Sequence, residues 1–150
     1  ENGERNPLIT EPVILRYKGA VPGWILIIHI IVIFSAMLLS TRTGMEAFFR
    51  RPRVVPYTWW TIILLLVGGM ILGPVVQKYA FGAFWTGWPI GHDLTDNKTA
   101  IAFIFWLIAF IQQLRKRNSR IWVIIAAIVL IIAFIIPHST WGSELDYTQQ

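Results

Sequence analysis

Between positions 121 and 136 the chain carries no polar side chain. A stretch of that length cannot be the amphipathic helix of a soluble core, because it has no face to give to water. Three further runs resemble it: 24–39, broken by His29 and Ser35; 57–76, broken by Thr58 and Thr61; and 99–111. With its flanks, each run reaches roughly the 17–25 residues that a helix needs to cross the hydrocarbon of a bilayer. A helix is also the form in which one segment satisfies its own backbone hydrogen bonds in lipid. The remaining composition agrees: 14% of the 150 residues are charged, and eight are Trp. A soluble domain would carry about a quarter charged residues. A soluble enzyme, a disordered charged tail and a nucleic-acid module are thereby excluded.

The expected fold is an all-α integral membrane protein. It has four transmembrane helices in a small bundle and an ordered outer loop between helices two and three. The expected spans of this single domain are 22–40, 56–76, 96–114 and 119–137, with 1–21 an outer N-terminal segment and 138–150 an outer tail. Pro22 and Pro56 stand where a first-turn proline is tolerated. Thr95 or Asp96 is expected to cap the third helix. Pro74 is expected to kink or end the second. Gly69 and Gly73 have the small-xxx-small spacing that packs membrane helices.

Charge sets the expected direction of insertion. The segment 41–55 holds Arg42, Arg50, Arg51 and Arg53 against Glu46 alone, and the link 114–120 holds Arg115, Lys116, Arg117 and Arg120 with no acid. Basic loops stay cytoplasmic. The other side then holds seven of the eight acids: Glu1, Glu4, Glu11, Asp93, Asp96, Glu144 and Asp146. Both termini are expected outside, most readily across a prokaryotic cytoplasmic membrane. The net charge of +5 reads as topology and anionic-lipid contact, not as nucleic-acid binding. Residues 1–21 show no signal-peptide pattern, so a leader already removed and a longer parent chain are both expectations.

The absence of cysteine excludes thiolate chemistry and thiolate-held clusters. His29, His92 and His138 are the only imidazoles. His29 lies inside the first apolar run, where an ionisable group should face protein or a cofactor. Counted from Arg42 it stands about 20 Å up the helix, and Met70, counted from Pro56, stands at about 21 Å. A b-type haem held by His29 and Met70 is therefore geometrically open. His138 stands near 27 Å on the same rise and matches His29 less well. The alternative for His29 is a packing residue bonded to Ser35, Thr61 or a backbone carbonyl.

Two outer segments stand apart: QKYAFGAFWTGWPIGHDLTDNK at 77–98 and PHSTWGSELDYTQQ at 137–150. Aromatics, glycines and the flanking Lys78 and Lys98 account for much of the first as an interfacial belt with snorkelling lysines. Trp85, Trp88, His92 and Asp96 are expected to pack on the outer face of the bundle. His92, Asp93, Asp96, His138 and Glu144 are the candidate ligands of a divalent metal ion, though without HxxxH or HExxH spacing. No Asp or Glu falls within the apolar runs 24–39, 57–76, 99–111 and 121–136, which weighs against coupled transport. The leading expectation is a small membrane subunit or anchor of a larger complex, with lipid and other membrane or outer-side subunits as partners, and no enzyme on its own. A haem- or metal-binding electron-transfer protein comes second, and a small transporter or channel third.

Overall fold

The computed structural model describes residues 18–116 and 118–137. Among these the chain is wholly helical, with α1 at Gly23–Phe48, α2 at Val54–Phe81, α3 at Leu94–Leu114 and α4 at Ser119–Ile135. The first three are long and apolar enough to cross a membrane. The fourth has 17 residues, or about 26 Å of helix.

Short links fix the topology. Residues 49–53 join α1 to α2 and residues 115–118 join α3 to α4, and links of this length make antiparallel neighbours. Helix α1 packs against α2 and α4, and α3 against α4 and α2, so α1 and α3 face one another diagonally. Both links lie at one end, here the basic end, where Gln113 of α3 donates to Thr58 of α2 at 2.7 Å. The loop 82–93 lies at the opposite end, the loop end, where the Lys98 ammonium of α3 donates to the carbonyls of Ile136 and Pro137 beyond α4.

The tight core belongs mainly to the middle and the basic end. Trp106, Leu65, Val123, Thr43, Thr58 and Thr61 are its largest sealed side chains apart from Asp93 at the loop end. Alanines at 36, 102, 109, 126 and 127 let the helices approach, as membrane helices without a hydrophobic drive between them require. A Cβ placed on Gly44 would lie 2.8 Å from that of Ala127, so α1 and α4 meet there with no room to spare. The threonines return their hydroxyl protons to carbonyls one turn back, Thr43 to Leu39 at 2.6 Å and Thr61 to Tyr57 at 2.8 Å.

Three local features differ from the sequence expectations. Helix α1 runs on to Phe48, so most of the expected loop after residue 40 is helix, and Glu46 belongs to its last turn. Glu46 is almost fully buried and pairs with Arg42 at 2.7 Å, so α1 carries this acid beyond the expected span, as α3 carries Asp96 in its first turn. Pro74 does not end α2. The helix passes through a π-helical stretch, Leu66–Leu72, and continues to Phe81, where Gly82 at φ 83° stops it. A proline has no N–H for the carbonyl a turn below, and a π stretch is a common way to absorb such a mismatch. Gly73 is helical immediately before Pro74, a position where a Cβ would crowd the pyrrolidine ring.

Candidate functional site

The loop end is built around the first turn of α3. Its N-cap is Asp93, not Thr95 or Asp96: Asp93 Oδ1 accepts the Thr95 amide at 2.6 Å. An aspartate suits this place because it satisfies one of the free amides of a helix start. Asp96, 5% exposed, turns back toward the loop, and its Oδ2 accepts the amides of Thr86 at 2.7 Å and Gly87 at 3.1 Å. Asn97 Oδ1 accepts the amide of Trp88 at 2.6 Å. Gly87 makes this possible, since a Cβ there would fall 2.7 Å from both Asp96 Cβ and Asn97 Oδ1.

The second helix joins the same network. Gln77 Nε2 donates to Thr86 Oγ1 at 2.6 Å, and that hydroxyl donates onward to Asp93 Oδ2 at 3.2 Å. Ahead of α1, the Gly19 amide donates to the carbonyl of Ala80 at 2.9 Å. The loop is thus pinned to α2 and α3 by buried polar groups. Its tip nevertheless projects, with Trp88 74% and Ile90 77% exposed.

Beneath this cap lies a cavity of about 560 Å³. Helix α1 contributes His29 and its neighbours, α2 contributes Gly69, Gly73 and Gln77, and α3 contributes Asp96 and Thr99. From α4 there is Phe134 alone. The space exists because α2 presents glycine and a widened turn at this level. Gly68 and Gly69 still support close packing, since a Cβ on Gly69 would meet Thr99 Cγ2 at 2.9 Å and one on Gly68 would meet the Ile33 backbone at 3.1 Å. Gly73 has nothing nearer than 3.7 Å and faces the cavity. The close helix contacts therefore come from Gly68 and Gly69, not from a Gly69 and Gly73 pair.

His29 is held in one orientation. Its Nδ1 lies 3.0 Å from the carbonyl of Gly68. That carbonyl also receives the Gly73 amide across the π turn. A carbonyl only accepts, so Nδ1 carries the proton, and in the neutral ring Nε2 carries the lone pair. Among the described residues no donor reaches Nε2. Of the partners open to His29 in the sequence, the backbone carbonyl is the one it takes.

The sequence candidates are only partly brought together. His29 lines the cavity, whereas Met70 is half-buried in the π stretch and does not. Asp93 and Asp96 both converge on Thr86 and both border the cavity, while His92 is exposed. His138 and Glu144 lie outside the described residues. Among those described, no group of three His, Asp or Glu side chains is placed to hold a metal ion. Of the four residues expected on the bundle face, Asp96 is buried and Trp85 half-buried, but Trp88 and His92 are exposed. Lys98 is buried rather than snorkelling, its charge set against the C-terminal carbonyls of α4 as the helix dipole favours. Gln77, Thr86 and Asn97 were not candidates. A lone amide in an apolar helix above Pro74, and a Thr-Gly pair before an acid-rich helix start, are the signals that mark them.

Comparison with protein-family models, with curated proteins and with solved structures finds no match. The class rests on the molecule itself: an all-helical membrane protein, with three helices able to cross a bilayer and apolar outward faces suited to lipid.

Proposed function

We propose that this chain is a small integral membrane subunit or anchor of a larger membrane complex, and that its loop end presents the docking feature. The single observation behind this reading is the loop 82–93. Buried Asp96 and half-buried Asn97 hold its backbone, yet its tip displays Trp88 and Ile90. Ordering a loop costs conformational entropy, and a loop fixed with large apolar groups outward is suited to meet a partner that covers them. In this reading α4 also spans, since 17 residues meets the lower limit of about 17 for a bilayer helix. Both termini then lie outside, across a prokaryotic cytoplasmic membrane, with the basic end in the cytoplasm.

A photo-crosslinking amino acid at Ile90 tests it in native membranes, with Ile31 on the outward face of α1 as the lipid-facing control. The expected result is one discrete protein adduct from position 90 and lipid adducts from position 31. Trp88→Ala together with Ile90→Asp should remove the protein adduct formed from a neighbouring loop position, and should shift the solubilised chain to a smaller species on native gels. Lipid adducts alone from position 90, or a wild-type chain migrating alone, would overturn the reading.

A further inference from the structure

We propose that the cavity under the loop end binds an uncharged, lipid-soluble molecule whose head carries a hydroxyl donor, received by Nε2 of His29. The inference is independent of whether the loop tip meets a partner.

The size is that of a ligand site. A volume of about 560 Å³ lies within the roughly 300–1,000 Å³ of small-molecule pockets, and bundle interiors are a recurrent place for them. The chemistry of the wall then narrows the occupant. The Gly68 carbonyl fixes the proton of His29 on Nδ1, so the nitrogen left over is an acceptor. The other buried titratable groups on the cavity are the carboxylates of Asp93 and Asp96. Asp96 spends Oδ2 on two loop amides, and no described donor is assigned to Oδ1. The Lys18 ammonium also lines the cavity but is exposed and lies against the Phe81 ring, so the buried part of the wall offers mainly acceptors and suits a ligand that donates. The lining carries charge of both signs, Lys18 with Asp93 and Asp96, so it does not select a charged head of either sign. Beside His29 the wall is Ile30, Ile33 and Phe34, apolar side chains that do not solvate a buried charge. A neutral hydroxyl satisfies both constraints.

The route of entry points to lipid. The wall toward α4 is Phe134 alone, and the α1 rim consists of Leu26, Ile30 and Phe34, all partly exposed on the outward face of that helix. The mouth therefore opens sideways at the end of α4, where an apolar tail can remain in the bilayer while the head reaches His29. Two sources share this chemistry: an isoprenoid hydroquinone, and a long-chain alcohol derived from membrane lipid.

The experiment uses the full chain purified in detergent and three probes. These are decyl-benzohydroquinone kept reduced, its oxidised quinone, and 1-dodecanol. Calorimetry reports saturable binding, and the 15N resonance of His29 Nε2 reports where the probe sits. At least one hydroxyl probe should bind saturably and move the Nε2 resonance. The oxidised quinone has no hydroxyl to give and should bind about tenfold more weakly, the scale of one hydrogen bond to a buried acceptor. His29→Leu should weaken the hydroxyl probe by a similar factor and leave the quinone unchanged. The Gly68 carbonyl keeps the Gly73 amide in that variant, so α2 retains its turn. Val76→Phe, which fills the cavity from its wall, should abolish binding of every probe, and its elution volume verifies folding independently. Hydroquinone binding without dodecanol binding identifies the isoprenoid source, and comparable binding of both identifies the lipid alcohol. The proposal is overturned if neither hydroxyl probe saturates, if His29→Leu leaves their affinity unchanged, or if added haem instead gives a Soret band that His29→Leu removes.

Discussion

At the basic end, Thr43, Thr58 and Thr61 are sealed from solvent, and Gly44 touches Ala127 so closely that one methyl group would not fit. At the loop end, Gly73 borders the cavity with room for a Cβ, whose nearest neighbour would be the Gly68 carbonyl at 3.7 Å, and the polar groups are spent on holding a loop rather than on filling the bundle. The same four helices thus pack densely where they are joined by short links and separate where a longer connection and a proline intervene. Packing density places stability at one end and leaves room for a ligand at the other. Dense packing is easily damaged, because each lost contact leaves a gap that the neighbours close only in part.

The largest expected effect tests that division directly. Trp106 is fully buried within the core that α3 shares with its neighbours. Trp106→Ala should cost about 3–5 kcal/mol, read as a lowered unfolding midpoint in detergent. Val76→Ala on the cavity wall should cost about 1 kcal/mol, since its side chain already borders open space. Equal losses at the two positions would mean that the cavity is filled in solution and that the contrast between the ends is false.

Overpacking gives the next largest effect. Gly44→Leu drives a side chain into Ala127 and should destabilise by about 3 kcal/mol, with α1 and α4 forced apart. Ala127→Gly should restore part of the loss, because the Ala127 Cβ is what a Cβ at position 44 would meet, and a double-mutant cycle measures the coupling. Failure of the second change to rescue the first would place the strain elsewhere in the seam.

At the loop end the corresponding loss is smaller and local. Asp96→Ala removes the acceptor of two backbone amides and should cost about 2 kcal/mol. Hydrogen exchange should accelerate at Thr86 and Gly87 while amides near Thr58 and Thr61 keep their protection. Uniform acceleration along the chain would show that the loop end is not a separate cooperative unit.

The apolar runs made the helices legible, because long stretches with so few polar residues, lengthened by their flanks, have few other solutions in lipid. Their ends were less so. Residues 41–48 read as part of a basic loop with Arg42 and the arginines at 50, 51 and 53, yet the helix continues through them, with Thr43 bonded back to Leu39 and Glu46 paired with an arginine one turn away. Asp96 was recognised as a helix-start residue, but its reach to the loop depends on Gly87 having no side chain, a contact between segments that local pattern does not carry. His29 was recognised as needing a partner at depth. Which partner it takes depends on how α1 and α2 are aligned, and the π turn that presents the Gly68 carbonyl has no periodicity of its own in the sequence.

The smallest expected effect concerns the acid that the longer helix encloses. Glu46 is 2% exposed, Arg42 is 47% exposed at 2.7 Å, and Arg51 stands at 3.9 Å. The Arg42 half of the pair is open to solvent, which screens its charge, and a second arginine remains when the first is removed. Arg42→Ala should therefore cost less than about 1 kcal/mol, and less again at high salt, since the arginine faces solvent. Removing Arg51 as well leaves a buried carboxylate with neither arginine, and the double variant should lose more than the sum of the two single ones. Strict additivity would mean that Glu46 is paired elsewhere, and that the two arginines contribute nothing to the packing of α1.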